Sequence, residues 1–546
     1  MTNKFVMPSP ARNCPPVGGL MNLRCVLIPA LVFTILLTSP AAAQPVPAGQ
    51  KPQIRFAKPV AYDSGGVGAN SAVIADLNGD GIPDLVVANV NQNGNSDFGE
   101  VAVLLGNGNG TFQSAVTYST GACSATSVAV GDVNGDGIPD LVVGNIWTTV
   151  QGPGDCTGNG ALSVLLGNGD GTFQPAVIYA IDPGPAYSVA LADLRGIGIL
   201  DVVVTDLIQD GQNYESAAGV LLGNGDGTFQ PVVNYYSGGL GCQSAAVADV
   251  NGDGIPDIVV SNEWQCESCS DGSAGVMLGN GDGTFQPVAT YDSGSPRSDW
   301  VAVGDLTGDG IVDLVVASGS GDNVVGVLLG NGDGTFQAPV AYLLNGTEAG
   351  KVAIGDVNGD GIPDLAVTDE CMKLRDGACT GSKVIVLLGN GDGTFQSQIL
   401  YGTGGFGASD IAIGDVNGDG KADLVVSNYC QGIQYGLCEA PGIAAVLLNE
   451  TSYTSKTALT SSPNPSQVNQ TVTFTATISS NPPVPNGEVV TFYNGKAEIG
   501  TGATTNGVAS LTTSFSKAGK YTIKASYPGD AFRKASHGTV KQAVNP

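Results

Sequence analysis

An acidic nonapeptide of the form Asp-x-Asn-x-Asp-Gly-x-x-Asp, or a close variant, returns seven times along the chain. The copies start at Asp76, Asp132, Asp193, Asp249, Asp305, Asp356 and Asp415, at intervals of 51 to 61 residues. A second segment, Leu-Leu-Gly-Asn-Gly-Asp-Gly-Thr-Phe or close to it, starts at Leu104, Leu165, Leu221, Met277, Leu328 and Leu387, with a truncated copy at Val446–Asn449. Each Phe of this segment opens a run that ends in Tyr, as in Phe173–Tyr179, and an isolated copy, Phe56–Tyr62, precedes the first acidic loop. A period of this length holding four short apolar runs is the signature of propeller blades. The runs Ser127–Gly131, Leu141–Val143, Leu162–Leu166 and Phe173–Tyr179 are β-branched, apolar and bounded by Gly-rich turns, and read as strands one to four of one blade. The chain enters on a strand-four copy and leaves the array on strands one to three. The N-terminal strand should therefore complete the last blade and remove the open seam.

The expected fold class is all-β: a seven-bladed β-propeller over 52–450, a linker over 451–457 and an Ig-like β-sandwich over 458–546. The last segment carries strand-like runs at Val472–Ser479, Glu488–Tyr493, Ala509–Phe515 and Tyr521–Tyr527, with an Asn494-Gly495 hairpin signal. With 81 Gly and 13% charged residues, helical bundles and coiled coils are excluded. Charge divides with the domains: residues 44–455 hold 46 acids and 10 bases, and residues 456–546 hold 3 and 8. A net charge of −28 speaks against nucleic acid as a partner. At the N-terminus, Arg24 precedes the uncharged run Cys25–Ser39 and a small-residue end at Ala43. Residues 1–43 thus read as a secretory signal peptide. No later segment approaches 18 apolar residues, so the mature chain is expected to have no transmembrane segment and to be exported and soluble or attached non-covalently; it is also expected to be monomeric. Its expected location is extracellular or at the cell surface, or in a periplasm.

The acidic loops carry the expected chemistry. Hard cations take six to eight oxygens, several of them charged. Positions 1, 3, 5 and 9 supply side-chain oxygens and position 7 a backbone carbonyl. The ligand sets are Asp76, Asn78, Asp80, Ile82 and Asp84; Asp132, Asn134, Asp136, Ile138 and Asp140; and Asp249, Asn251, Asp253, Ile255 and Asp257. Three more follow: Asp305, Thr307, Asp309, Ile311 and Asp313; Asp356, Asn358, Asp360, Ile362 and Asp364; and Asp415, Asn417, Asp419, Lys421 and Asp423. Glycine at position 6 permits the sharp turn. The loops start like EF-hand loops, but position 12 of the second is Val143 and the flanks are strands. The third copy has Arg195 and Ile197 at positions 3 and 5, so Arg195 should replace the ion between Asp193 and Asp201. Six Ca²⁺ ions are expected. The Gly-rich turns recur once per blade, so they read as plain hairpins and not as a second set of cation sites.

These paired elements resemble FG-GAP (VCBS-type) repeats, the propeller of integrin α-subunits, over about residues 52–450. The resemblance implies Ca²⁺ in the loop between strands one and two of a blade. The C-terminal segment is similar to bacterial Ig-like repeats through Leu459–Pro465 and Tyr527–Asp530. Neither resemblance names a ligand.

The opposite face carries the two-to-three and four-to-one connections, where recognition by a rigid scaffold usually sits. Trp147, Tyr214, Trp264, Trp300, Tyr429 and Tyr435 map there and could stack on sugar rings or anchor a protein, or simply cover loop backbone. The expected partner is a carbohydrate or an extracellular protein. Disulfide candidates share that face: Cys123 with Cys156, Cys242 with Cys266 or Cys269, Cys371 with Cys379, and Cys430 with Cys438. An enzyme reading has little to work with, since the only histidine is His537. Carboxylate pairs such as Glu263 with Glu267 or Asp369 with Glu370 are the one opening for glycoside chemistry. A structural envelope component, docked through its basic C-terminal domain, is the remaining alternative.

Overall fold

The computed structural model describes residues 54–546, apart from 91–97, 153–154, 182–183, 211–212, 266–270, 320–322, 347, 371–380, 435–436 and 439–440. The signal-peptide segment lies outside these residues. Every regular element described is a β-strand, and no described helix is long and apolar enough to cross a membrane.

Each acidic loop joins the first and second strands of a four-stranded antiparallel blade, and we name the blades first to seventh after their loops. The third blade runs Val189–Ala192, Asp201–Asp210, Asn213–Leu221 and Val233–Tyr236 in spatial order. The fourth, fifth and sixth repeat that order. The first and second are fused into a seven-stranded sheet, because the 16-residue strand Val116–Gly131 ends one blade and begins the next. The seventh blade combines Phe406–Gly414, Asp423–Cys430 and Ile443–Leu447 with the N-terminal Val60–Asp63, in the register Val60↔Val446 to Asp63↔Ile443. The expected closure by the N-terminal strand is formed.

Second and third strands are the propeller's interior. Asp84–Asn89 and Asp423–Val426 are buried along their length, and Val86, Val142 and Val425 are fully shielded. Both faces of these strands are covered by neighbouring blades, so the runs are continuously apolar. The fourth strands are shorter than the Phe-to-Tyr runs suggest. Phe173 makes only an isolated bridge to Gly167, and regular pairing starts at Val177. The Phe instead packs edge-on to the Tyr of the preceding blade. Tyr62–Phe112, Tyr118–Phe173, Tyr179–Phe229, Tyr235–Phe285, Tyr291–Phe336 and Tyr342–Phe395 have ring centroids 5.3–5.7 Å apart. Phe56 and Tyr401, at 5.0 Å, make the seventh such contact across the closure.

The C-terminal domain packs the three-stranded sheet Lys456–Ser462, Thr471–Ser479 and Val508–Ser514 against a five-stranded sheet. Val472, Phe474, Val490, Phe492, Ile523 and Tyr527 form its core. Asn494-Gly495 turns the hairpin between Val489–Asn494 and Ala497–Ala503. Residues expected as a linker are partly engaged: strand pairing begins at Lys456, and Tyr453 exchanges backbone bonds with Phe532 and Lys534.

Candidate cation loops and binding face

The first loop shows how sequence builds each acidic turn. Asp76 accepts the N–H groups of Gly79 and Gly81, both at 2.8 Å, and these two glycines have φ of 72° and 80°. Asn78 accepts from Asp80 at 2.9 Å and Asp80 from Ile82 at 2.8 Å. Asp84 is fully buried at the head of the second strand, bonded to Leu77 N–H at 3.0 Å and to Gly106 N–H of the Gly-rich turn at 2.7 Å. The loops and Gly-rich hairpins therefore share one face. Each carboxylate oxygen keeps a lone pair after its backbone bond.

Electrostatics mark these loops as short of positive charge. Burial, with Asp80 and Asp76 adding repulsion, pushes the Asp84 carboxyl above its ordinary range. The same causes raise Asp140, Asp257 and Asp313, and carry Asp364 to about 8 and Asp423 to about 6. Among the described residues no three such side chains stand in finished coordination geometry, and a cation would have to draw the backbone-bonded oxygens inward. Donor type, charge and flexible Gly hinges fit a hard divalent ion.

The third loop makes the comparison from within. There the Arg195 guanidinium binds both oxygens of buried Asp201, at 2.6 and 3.2 Å, and the Gly223 carbonyl at 2.7 Å. It does not bridge to Asp193 as the sequence suggested. Asp193 takes backbone N–H groups from Arg195, Ile197 and Gly198. Two other departures are local. Lys421 contributes more than a carbonyl, since its ammonium pairs with Asp419 at 2.8 Å. Asn358 is fully buried and swings its amide to Asp364, 3.3 Å away. In the Gly-rich turns, the Thr172 hydroxyl and N–H both bind Asp170 and hold its carboxyl below the ordinary range, and Asp226, Asp282, Asp333 and Asp392 repeat this. Those aspartates close hairpins.

On the opposite face, Trp264 and Trp300 sit in a charged rim. The Arg297 guanidinium lies 5.4 Å from the Trp264 ring centre and 3.4 Å from Glu263. Lys351 lies 4.4 Å over the Trp300 ring and 2.9 Å from Asp410. Glu370 is pushed up to about 7 by burial and by Glu348 and Asp299, with Lys351 opposing. Trp147 ends a second strand opposite Cys123, and Tyr429 packs beside Gly68. The Tyr214 side chain, Tyr435 and Glu267 lie outside the described residues.

Sequence reasoning missed the axis. The residue five before each loop's first Asp reads Ser71, Ser127, Ser188, Ser244, Trp300, Lys351 and Asp410, and all seven line one cavity of about 190 Å³. Ser127 accepts Val189 N–H at 3.3 Å, Ser188 accepts Ala245 N–H at 3.5 Å and Asp410 accepts Ala72 N–H at 3.1 Å, each from the next blade. Trp300 and Lys351 have no oxygen for that bond. Aligning the repeats on their loops would have exposed the substitution.

The Cys123–Cys156 disulfide is formed, with Cα atoms 6.2 Å apart. Cys430 is also disulfide-bonded, while the Cys438 side chain and Cys266, Cys269, Cys371 and Cys379 lie outside the described residues. Cys242 corrects the expectation: it is a free thiol, fully buried with Val203, Ala218 and Val260. Its side chain turns into the blade core. Burial and the neighbouring Asp206 push this thiol up.

The FG-GAP-like repeat family model matches residues 76–143, 196–260, 268–316, 305–367 and 377–426, and a second FG-GAP repeat model matches 124–165. The chain belongs to the FG-GAP repeat family. A bacterial Ig-like domain (group 3) model matches 459–545. Among curated proteins, this FG-GAP chain is 31% identical over 172 residues to integrin alpha pat-2 of Caenorhabditis elegans, covering 26% of the chain and 14% of that protein. It is 38% identical over 107 residues to integrin alpha-PS5 of Drosophila melanogaster, covering 18% and 10%. The matched region thus spans about a seventh or less of these relatives' lengths.

Proposed function

We propose that this chain is an exported adhesion module whose cation-loaded propeller binds a carbohydrate or an extracellular protein. The observation that carries the cation half is Arg195. Where the acidic grammar is lost, a fixed positive charge lies against the position-9 carboxylate; where the grammar is complete, that carboxylate is raised by burial and, in addition, by the neighbouring loop aspartates. Asp and Asn at positions 1, 3, 5 and 9 would hold Ca²⁺ at six loops, and the ion would supply the missing charge. Binding is placed on the opposite face, where Trp264 and Trp300 offer rings flanked by carboxylates and cations. The match to integrin alpha chains supports the scaffold role, and its limited coverage leaves ligand identity to this chain's own rim.

The mature protein is to be passed over immobilised polysaccharides and extracellular-matrix proteins, with Ca²⁺ and with chelator. Retention in Ca²⁺ that is lost in Trp264→Ala and Trp300→Ala supports the reading. Retention unaffected by both substitutions removes the rim from it, and shortened polymer in the flow-through replaces adhesion by hydrolysis.

A further inference from the structure

The Gly-rich hairpin of one blade leans over the acidic loop of the blade before it. Gly227 N–H donates to the carbonyl of Val133, position 2 of the second loop, at 3.2 Å. A Cβ added at Gly135, position 4 of that loop, would meet the Gly225 carbonyl at 3.6 Å, and one at Gly252 would meet that of Gly332 at 3.8 Å. The seventh blade has no such hairpin. Its third strand runs out at Asn449, and its fourth comes from the N-terminus through the bridge Phe56↔Asn449. The closure that ties the ring together therefore leaves a notch over the sixth loop.

Other groups fill that notch at the same two loop positions. The Asn449 amide donates to the carbonyl of Val357, position 2, at 2.7 Å. The Phe532 ring lies on Gly359, position 4, where a Cβ would come within 2.1 Å of it. Arg533 Nη2 donates to the Gly359 carbonyl at 2.7 Å. Arg533 is 3% exposed, anchored by Asp530 at 3.1 Å and by the carbonyls of Pro482 and Pro483. Ala531 faces Gly420 of the seventh loop. A turn of the sandwich, Asp530–Arg533, thus occupies the place of the missing hairpin.

The loop beneath it differs from its siblings. Asn78, Asn134, Asn251 and Asn417 each accept the N–H of the Asp two residues on. Asn358 is fully buried beside Asp364, and its Oδ1 has no hydrogen-bond partner among the described residues. A buried acceptor without a donor is unfavourable, and a cation at this loop would satisfy it.

We propose that the sixth loop is a latch between propeller and sandwich: a cation there is enclosed by Phe532 and Arg533, and ion and docked turn hold each other in place. The proposal rests on the cation reading of the loops. Linkage makes the coupling reciprocal: whatever the turn adds to ion retention, the ion adds to docking.

The full mature chain is to be loaded with Ca²⁺ and mixed with a fluorescent chelator, while hydrogen exchange is followed in segments 356–364 and 530–534. One class of ion should leave about tenfold more slowly than the rest, the effect of losing one or two buried contacts. That slow class should vanish in Phe532→Ala/Arg533→Ala. Asn358→Ala/Asp360→Ala should speed exchange at 530–534 about tenfold and leave 521–527 protected, which shows the sandwich still folded. Ions bound but released in a single phase, or exchange at 530–534 indifferent to Ca²⁺, overturns the latch alone. No bound Ca²⁺ at all overturns the cation reading and the latch with it.

Discussion

Arg195 shows what a single side chain reveals about its repeat. Its guanidinium is the counter-charge of Asp201, a fully buried carboxylate, so the two are a unit in the packed blade. Removing one partner of such a pair strands the other, at about 3–5 kcal/mol. Arg195→Ala should lower stability by that amount in chemical denaturation, and Arg195→Ala/Asp201→Asn should recover part of it. Equal losses in both variants would show that the pairing contributes little. Glu370 gives the pH counterpart. Its folded pKa, about 7, lies above the ordinary glutamate value, so the folded protein binds the proton more tightly than the unfolded chain. Its contribution to stability is present below about pH 4.5 and is lost as pH rises through 7. Glu370→Gln should flatten the fall in melting temperature between pH 5 and 7.5; an unchanged slope would assign the fall to other groups. Lys421 and Asn358 were legible as residues but not as actors. Position 7 promises only a carbonyl, and whether a Lys reaches back to its own loop is a matter of rotamer and neighbours.

At the scale of elements, the fold uses the repeated Phe-Tyr spacing as a joint between blades. Reading Phe173–Tyr179 as one strand is only half right, because Phe173 leaves the ladder to meet Tyr118 edge-on. Phe56 performs this duty at the closure, with Tyr401 donating to the Ile54 carbonyl at 2.7 Å. Phe56→Ala should cost about 3–5 kcal/mol, the range for truncating a buried aromatic. It should also expose the segment before Val60 to proteolysis first, and a uniform cleavage pattern would show that the closure is held elsewhere. The disulfides divide along the same line. Blade position is enough to pair Cys123 with Cys156, but a cysteine facing into a blade core, as Cys242 does, has the same spacing as one facing a loop. Only strand register distinguishes them.

For the whole molecule, charge is the governing quantity. The segment 44–546 combines −36 with +5, a net −31. Six divalent ions would remove 12 of those charges, and each site adds about 2.7 kcal/mol at a hundredfold excess over its dissociation constant if it is absent from the unfolded chain. Chelation should therefore lower the melting temperature strongly at pH 7.5. The effect should shrink towards pH 5, where the raised position-9 carboxyls, Asp364 and Asp423 foremost, take up protons instead. A melting temperature indifferent to chelator at both pH values would remove cations from the stability of this fold. The axial cavity is also a property of the whole. Four serines, Trp300, Lys351 and Asp410 are 51 to 61 residues apart in the chain and become one surface only when the ring closes.

What the sequence determined by itself is the grammar of the repeat: its first three strands, acidic loops and hairpins, the closure by the N-terminal strand, and the onset of a second domain. Local alternation and turn chemistry act within a few residues, so they can be read along the chain. What only the tertiary structure decided lies where distant repeats meet. The guanidinium of Arg195 chose Asp201 and Gly223 over Asp193, Lys351 chose Trp300 and Asp410, and the sandwich turn took the notch that ring closure left. Each depends on the distance between groups in space, which repetition in sequence does not specify.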